Sequence, residues 1–340
     1  MRPFMLERVD SPAAAVHAGT APRAAAPATQ NPAQYLAGGT TLLDLMKLDV
    51  MRPQTVIDIN AIEATALGRI EPSRNGLRLG ALVRMADAAE HPTLRRDCPV
   101  IAESLKLAAS QQIRNMASLG GNVLQRTRCS YFRDVSYAEC NKRSPGSGCA
   151  ALDGVNRTHA VLGVSDRCIA TYPGDFAQAL VALDATVQII GTGGARSIPF
   201  AALHRRPGDT PDVETGLQPG DMIASFEVPI ASWMRRSLYL KVRDRESYEF
   251  ALASAAVALN LQDGKVLESR IGLGGVATVP WRAKAAEDVL RGRAIENATV
   301  DAAAEAAFAD ARGREHNTFK IALGKRTLAR ALRQAAAMEV

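Results

Sequence analysis

The fold is decided by the stretch Ala37-Gly38-Gly39-Thr40-Thr41-Leu42-Leu43-Asp44-Leu45-Met46-Lys47. The pattern around it predicts a strand at residues 35–37 and a helix at residues 42–48. Glycines between a strand and a helix let backbone N–H groups approach an anion at the helix N-terminus. This order of strand, glycine turn and helix therefore predicts a phosphate cradle in an α/β unit.

A second glycine pair lies further along, in Ser118-Leu119-Gly120-Gly121-Asn122. Two such turns in adjacent α/β units could clamp a pyrophosphate from both sides. The pattern alone is equally compatible with two ordinary tight turns. The sequence contains neither G-x-G-x-x-G nor G-x-x-x-x-G-K-[ST], which argues against the common dinucleotide-binding fingerprint and against a P-loop.

The rest of the chain divides by pattern into residues 1–60, 61–230 and 231–340. The first two segments mix strands and helices and predict α/β units, with a loop or arm at residues 20–33. The last places strands before helices, which predicts an antiparallel sheet covered by helices on one face. Strands are predicted at 4–8, 35–37, 56–59, 77–82, 187–190, 222–228, 238–242, 253–261 and 270–274. Helices are predicted at 13–17, 42–48, 85–90, 100–109, 176–183, 282–290, 300–311 and 319–337.

Composition excludes several classes of protein. The hydrophobic fraction of 47% is that of an ordinary globular protein. No run of 18 apolar residues is present, so no membrane insertion is expected. The net charge of +6 would suit nucleic acid, but an aromatic content of 5% leaves few surfaces on which bases could stack. Residues 1–8 lack the apolar region of a signal peptide, so we expect any export to depend on another subunit.

Four of the five cysteines fall within 40 residues, at Cys129, Cys140, Cys149 and Cys168. Four thiolates are the usual ligand set of an iron–sulfur cluster, although this spacing is not a common ferredoxin pattern. Structural zinc prefers C-x2-4-C pairs, which are absent here. Two disulfides would suit a short secreted domain better than a chain of 340 residues. Spacing favours a cluster and does not choose between the four-iron and two-iron types.

The charge around these cysteines also favours a cluster. Between residues 126 and 149 the sequence has five cations and only two carboxylates, Asp134 and Glu139. Nearby positive charge stabilises thiolates. A solvated basic loop or a nucleic-acid patch remains the alternative. The cations are Arg126, Arg128, Arg133, Lys142 and Arg143.

At this point the motifs resemble a known family, the FAD subunits of molybdenum hydroxylases, also called the xanthine dehydrogenase family. Residues 37–47 resemble its first flavin-binding loop, and residues 117–122 resemble its second. Residues 172–185 and 273–282 resemble the segments that follow. The resemblance implies a two-lobed α/β FAD-binding domain of the PCMH type and a C-terminal α+β domain. The overall class is α+β, with FAD-binding subdomains at 1–60 and 61–230 and a C-terminal domain at 231–340.

Most members lack the cysteine segment, which occupies about residues 124–170 as an insertion. Similar insertions hold a 4Fe-4S cluster in the flavin subunits of 4-hydroxybenzoyl-CoA reductase and of bacterial periplasmic aldehyde oxidoreductases. The chain is most similar to the second group. The resemblance therefore implies that Cys129, Cys140, Cys149 and Cys168 hold a 4Fe-4S cluster.

The resemblance also implies a set of FAD contacts. Residues 35–42 would hold the pyrophosphate through backbone amides, and the second loop would bind phosphate and ribityl groups. The implied loop residues are Tyr35, Leu36, Ala37, Gly38, Gly39, Thr40, Thr41, Leu42, Ser118, Gly120, Gly121 and Asn122.

Four further residues match positions near the flavin. Ala108 falls near the isoalloxazine, and Ile223 would pack on the ring, although an ordinary strand core would explain it equally. Asp175 matches an acidic contact and could instead cap a helix. Lys241 matches a basic contact and could instead be a surface lysine. Where many members carry an Arg-Arg pattern, this chain has Arg243-Asp244-Arg245, so these arginines are not assigned to the site.

The implied function is that of an FAD- and 4Fe-4S-binding electron-transfer subunit in a heterotrimeric molybdenum aldehyde oxidoreductase. The implied partners are a molybdopterin-binding large subunit, a 2Fe-2S small subunit and an external electron acceptor. No catalytic residue is assigned to this chain, and its five histidines form no recognisable triad. The expected location is the periplasm, as a passenger of a partner, with the cytoplasm as the alternative. Two rival hypotheses are a stand-alone flavin oxidoreductase and a non-enzymatic iron–sulfur or zinc module that binds nucleic acid.

Overall fold

The structure is a computed structural model that describes residues 1–20 and 27–340. Most of the predicted arm at residues 20–33, namely residues 21–26, lies outside the described residues. Three separate sheets organise the described chain, with strands from residues 5–58, 70–229 and 237–282. The strands of each sheet come from one of the three predicted segments. The exact domain boundaries at residues 60 and 230 remain predictions.

The first sheet is parallel and carries the first glycine loop. It consists of β1 (Met5–Arg8), β2 (Ala33–Leu36) and β3 (Thr55–Asp58), in the order β1-β3-β2. Parallel strands need crossover connections: α1 (Pro12–Thr20) lies between β1 and β2 in the chain, and α2 (Leu42–Lys47) lies between the neighbouring strands β2 and β3. The predicted strand, glycine turn and helix are therefore confirmed in position.

The second sheet is antiparallel throughout, in the order β4-β5-β8-β6-β7. The sequence predicted an α/β unit here, and both element types are present, with the helices grouped between β5 and β6. The strands are β4 (Ile70–Ser73), β5 (Gly76–Gly80), β6 (Thr186–Gly191), β7 (Gly194–Pro199) and β8 (Met222–Pro229).

Seven helices follow β5 before the sheet resumes. Their apolar faces and the sheet enclose the largest core, which includes Phe176, Phe200 and Phe226. The helices are α3 (Met85–Glu90), α4 (Pro92–Asp97), α5 (Pro99–Lys106), α6 (Gln111–Met116), α7 (Leu119–Val123), α8 (Ser130–Arg133) and α9 (Phe176–Ala182).

The C-terminal segment has the predicted arrangement of strands followed by helices. Its antiparallel sheet has the order β12-β11-β10-β9, and α10, α11 and α12 pack with it around a separate core. The elements are β9 (Ser237–Val242), β10 (Ala253–Gln262), β11 (Lys265–Gly274), β12 (Trp281–Arg282), α10 (Lys284–Leu290), α11 (Asn297–Ala307) and α12 (Phe319–Ala336). The predicted α+β class is thus confirmed.

Two local predictions differ from the structure. The second glycine pair is not a turn, because Gly120 and Gly121 lie inside α7 (Leu119–Val123). The N-cap residue Ser118 precedes this helix, and its Oγ accepts a hydrogen bond from the Gly121 N–H at 3.2 Å. Asp175 does precede α9, but its side chain makes no capping hydrogen bond. Its carboxylate instead binds partners on β9, described below. Among the described residues, no helix is long and apolar enough to cross a membrane.

Candidate cofactor site

A deep cleft opens where the first glycine loop faces α7. It encloses a cavity of about 250 Å³ that is partly open to solvent. Residues 37–42 line one side of the cleft, Ser118, Gly120 and Gly121 line another, and Ile223 of β8 also contributes. A long ligand could therefore lie between the two glycine-containing walls.

The first glycine loop is shaped by close backbone contact. A Cβ atom on Gly38 would overlap the carbonyl oxygen of Met116, so only glycine fits here without a shift. Gly39 has a φ of +72°, a conformation that favours glycine. Within the described part of the chain, the N–H groups of residues 38–42 donate to no protein acceptor. These free donors at the start of α2 have the chemistry of an anion cradle.

The second wall is different, because its N–H groups already have protein partners. The Gly120 N–H donates to the Ala81 carbonyl at 2.8 Å, and the Asn122 N–H donates to the Ser118 carbonyl at 2.8 Å. Gly120 also packs closely on Ala81, whose Cβ would lie 3.0 Å from an added Cβ. The α7 wall therefore limits the width of the cleft and offers few free backbone N–H donors to a ligand.

Most of the predicted FAD contacts lie on the cleft, and five do not. Leu36, Ala108, Asn122, Asp175 and Lys241 are absent from its lining. The remaining predicted residues line it: Tyr35, Ala37, Gly38, Gly39, Thr40, Thr41, Leu42, Ser118, Gly120, Gly121 and Ile223.

Asp175 and Lys241 bind each other. The Lys241 Nζ lies 2.8 Å from Asp175 Oδ2, and both side chains are almost completely buried. The same ammonium donates to the Leu107 carbonyl at 3.0 Å, next to Ala108. Tyr239 donates to Asp175 Oδ1 at 2.7 Å, and burial, followed by the charge of Asp175, raises the pKa of this tyrosine well above its usual value. This cluster joins α9 to β9.

The four clustered cysteines converge in one buried group. Cys129, Cys140 and Cys168 are buried, Cys149 is half-buried, and all four are free thiols, so the disulfide alternative is wrong for this structure. Cys140 and Cys149 face each other in a short antiparallel bridge, and interaction with Cys168 lowers the pKa of the Cys149 thiol. Within residues 1–20 and 27–340, no three His, Cys, Asp or Glu side chains are arranged around a single metal position.

Asn141 links the two halves of this cysteine segment. Its buried amide donates to the Arg167 carbonyl at 3.0 Å and accepts from the Gly148 N–H at 3.0 Å. The loop bearing Cys140 and Cys149 is thereby held beside the residue that precedes Cys168.

Four of the five cations of the cysteine segment are paired with carboxylates distant in sequence, contrary to what their local sequence predicts, while Arg143 donates to backbone carbonyls. Asp44 of α2 accepts from Arg128 at 3.0 Å and from Arg133 at 2.8 Å. Glu214 binds Arg126 Nε at 3.0 Å and Lys142 Nζ at 2.9 Å. These carboxylates lie far away in sequence, so the count of five cations against two overstates the positive charge beside the thiols.

Burial raises the pKa of Glu214, but the charges of Arg126 and Lys142 outweigh it and bring the pKa to about 2. The Glu214 carboxylate is therefore ionised at neutral pH. Glu214, Arg126 and Lys142 all line the cleft, as do Ala170 and Thr171, which follow Cys168. The cysteine segment thus borders the cleft directly.

Sequence reasoning missed one close neighbour of the thiols. His159 Nε2 lies 3.1 Å from Cys129 Sγ, and the side chain is almost fully buried. Burial, followed by the charge of Lys320, lowers the pKa of His159 to about 4. Lys320 is itself fully buried, and burial lowers its pKa to about 7. The sequence does place His159 inside the inserted segment, between Cys149 and Cys168, which could have indicated a position near the thiols.

Comparison with known proteins agrees with this geometry. Residues 13–231 match the FAD binding domain in molybdopterin dehydrogenase, and residues 238–335 match the CO dehydrogenase flavoprotein C-terminal domain. The chain is 46% identical over 340 residues to the aldehyde oxidoreductase FAD-binding subunit PaoB of Escherichia coli K12, with 99% of each chain covered. It is 24% identical over 262 residues to the glyceraldehyde dehydrogenase medium chain of Sulfolobus acidocaldarius, covering 77% of this chain and 74% of that one.

A solved structure extends the match to the whole fold. The carbon monoxide dehydrogenase from Hydrogenophaga pseudoflava that lacks the Mo-pyranopterin moiety aligns with a TM-score of 0.75 at 26% identity, covering 99% of both chains. The matched FAD-binding domain contains both walls of the cleft, and the matched C-terminal domain contains the antiparallel sheet. The chain therefore belongs to the FAD-binding subunits of the molybdopterin dehydrogenases, a family of oxidoreductases.

Proposed function

We propose that this chain binds FAD in the cleft and a 4Fe-4S cluster on its cysteine segment, as the electron-transfer subunit of a molybdenum aldehyde oxidoreductase. The observation that carries the proposal is the direct contact between two sites. A cleft with free backbone donors on one wall is bordered by the segment on which four free thiols converge. The aldehyde part rests on the 46% identity to the aldehyde oxidoreductase subunit.

The first glycine loop would hold the FAD pyrophosphate. The N–H groups of residues 38–42 have no hydrogen-bond acceptor among the described residues, and they lie at the N-terminal end of α2. An anion placed there would satisfy donors that are otherwise left to solvent. The α7 wall and Ile223 would limit where the rest of the ligand lies. When bound, FAD takes up electrons singly and releases them singly or in pairs, so it can join one-electron centres to a two-electron acceptor.

The residues present also fit a 4Fe-4S cluster. Four free cysteines supply the usual number of thiolates, and no disulfide consumes them. They share one buried group with Phe132, Ile169 and other apolar side chains, which would shield a cluster from water.

The partners follow from the same family relationship. We propose that a molybdopterin-binding large subunit oxidises the aldehyde and a 2Fe-2S small subunit passes electrons to this chain, which delivers them to an external acceptor. One relative is itself described as a medium chain, which supports this subunit role. We also propose periplasmic location as a passenger of a partner subunit, which fractionation of cells that express the whole complex would test.

The deciding experiment is anaerobic purification of the chain co-expressed with its partner subunits, followed by absorption spectroscopy and assays of flavin, iron and acid-labile sulfide. Flavin, iron and sulfide are measured again on this chain after it has been separated from its partner subunits. We expect one FAD and about four irons per chain. Zinc is measured on the same sample.

Two thiol-to-hydroxyl variants sharpen this experiment. Cys140→Ser should lose the iron of this subunit and keep FAD, because only the cysteine segment is altered. Cys98→Ser is the matched control, since Cys98 is buried in the main core away from the segment. Zinc or no metal in the wild-type chain would refute the cluster, and the absence of flavin would refute the cleft assignment. Aldehyde turnover by the chain alone would favour the stand-alone flavin oxidoreductase.

A further inference from the structure

His159 is the one described histidine that contacts a cysteine sulfur. Its Nε2 lies 3.1 Å from Cys129 Sγ, a distance at which an N–H group bonds to sulfur. Its other ring nitrogen, Nδ1, is buried and has no partner among the described residues. The ring is therefore placed by packing and by a single polar contact, the one to Cys129.

The backbone that carries His159 is fixed from two sides. The His159 N–H donates to the Asn156 carbonyl at 2.9 Å. From the C-terminal domain, Lys320 Nζ donates to the His159 carbonyl at 3.0 Å, and Asn317 Nδ2 donates to the Ala160 carbonyl at 3.1 Å. Lys320 and Asn317 are both fully buried. Such support gives the imidazole a defined position relative to Cys129.

A fixed imidazole at this position has a specific chemical effect. A neutral ring carries one proton, and a thiolate can only accept a hydrogen bond, so the proton must be on Nε2 for the contact to hold. A hydrogen bond to a cluster thiolate withdraws electron density from sulfur. It stabilises the reduced, more negative cluster more than the oxidised one and so raises the reduction potential.

We propose that His159 donates a hydrogen bond to the Cys129 thiolate and thereby raises the reduction potential of the 4Fe-4S cluster. This inference rests on the proposed function, because it requires the cluster. His159 is a positioning and tuning residue in this proposal and binds no iron. Cys168 also receives a bond, from the Ala170 N–H at 3.4 Å, but a backbone donor offers no side chain to exchange.

The test is a redox titration of the purified complex, followed by electron paramagnetic resonance, with iron measured on each sample. His159→Leu removes the donor, and we expect the ratio of reduced to oxidised cluster at a fixed potential to fall about tenfold, or about 59 mV for one electron. His159→Gln keeps an N–H donor of similar reach and should stay near the wild-type potential. His316→Leu is the matched control, because the His316 side chain is exposed.

The outcomes separate this inference from the proposed function. Wild-type protein without iron refutes the proposed function and with it the cluster on which His159 would act. Wild-type protein with about four irons, together with a fully loaded His159→Leu variant of unchanged potential, overturns the role of His159 alone. If His159→Leu fails to load iron, His159→Met replaces it as the donor-free variant for comparison with His159→Gln. Equal potentials in that pair would also overturn the inference.

Discussion

Glu214 is the residue on which two cations of the cysteine segment depend. Its carboxylate binds both Arg126 and Lys142, and Arg126 also stacks over Phe132 at 4.6 Å from the ring centre. Buried ion pairs of this kind add little net stability, but losing one partner leaves charges without compensation. The side chain therefore determines whether the border between cleft and cysteine segment holds together.

Because the pKa of Glu214 is low, protonation of this carboxylate in acid should lower the free energy of unfolding. Its folded-state pKa of about 2 lies below the usual 4.5, so its contribution to stability is complete above pH 4.5 and is lost as pH falls through 2. We expect the loss to be about 3 kcal/mol in the free energy of unfolding. Urea unfolding at several pH values between 2 and 5 measures it.

The same measurement on two variants isolates this residue. Glu214→Gln should lack that pH dependence and should already be destabilised at pH 7 by about 3–5 kcal/mol, because Arg126 and Lys142 stay buried without a counter-charge. Glu315→Gln changes an exposed carboxylate and serves as the control. Parallel pH profiles for wild type and Glu214→Gln would show that other carboxylates govern acid unfolding.

For single residues, the sequence predicts which residues belong to a site better than it predicts the side chains with which they form ion pairs. The glycines of the first loop were predicted from their neighbours along the chain, because a strand and a helix on either side define their role. The partners of Arg126 and Arg128 could not be predicted, since Glu214 and Asp44 are separated from them by 88 and 84 positions. The family resemblance implies Asp175 and Lys241 as FAD contacts, which stays a prediction, and the fold adds that these two side chains bind each other.

At the scale of elements, the first glycine loop and the segment that leads into α7 are held together by contact at Gly38. The Gly38 backbone lies against Met116 and Ala117, which directly precede Ser118. One glycine therefore sets the distance between the two walls of the cleft.

Replacing that glycine should open the cleft. In Gly38→Ala, the new Cβ overlaps backbone atoms of Met116 that cannot rotate away, so the walls must separate. We expect FAD affinity to fall at least about tenfold, the equivalent of about 1.4 kcal/mol. Flavin fluorescence during titration of the flavin-free complex measures it.

Gly193→Ala is the control for this variant. Its Cβ would meet no atom within 4 Å, and its φ lies outside the range in which side chains are strained. It should bind FAD as the wild type does. Unchanged affinity in Gly38→Ala would mean that the contact with Met116 does not determine the width of the cleft.

Elements were predictable where apolar residues alternate or recur at helical spacing. β6 has an alternating burial pattern and was predicted to within one residue at each end. β7 was missed, because nearly every residue in it is exposed and no alternation marks it. α7 was read as a turn, since Gly120 and Gly121 oppose helix formation locally and the capping by Ser118 depends on the surrounding backbone.

At the scale of the whole molecule, the FAD-binding part and the C-terminal part are joined through buried polar contacts. The pair formed by Asp175 and Lys241 connects α9 to β9, with Tyr239 on the same carboxylate. A second set connects α12 to the cysteine segment through Lys320 and Asn317. The two domains should therefore unfold together.

Breaking the first connection tests this cooperation. Lys241→Met leaves the Asp175 carboxylate buried without its cation, and we expect the free energy of unfolding to fall by about 3–5 kcal/mol. The double variant Asp175→Asn with Lys241→Met removes both charges and should recover part of that loss. Urea unfolding followed by circular dichroism and by flavin fluorescence reports both parts of the chain.

Coincident transitions by the two probes are expected in all three proteins. A Lys241→Met variant as stable as the wild type would show that this pair contributes nothing to the junction. A double variant less stable than Lys241→Met would show that the Asp175 carboxylate stabilises the fold through Tyr239 rather than through the lysine.

Lys320 and Asn317, which hold the backbone at His159 and Ala160, lie far downstream in the sequence, and this has a consequence for how the protein is made. Synthesis proceeds from the N-terminus, so even the last of the four clustered thiols, Cys168, emerges from the ribosome about 150 residues before Asn317 and Lys320, which fix their surroundings. During that interval the thiols are open to oxidants and to stray metal ions. Insertion of the proposed cluster is therefore expected to follow translation, and the yield of loaded protein in a recombinant host should depend on how long chaperones shield the nascent chain.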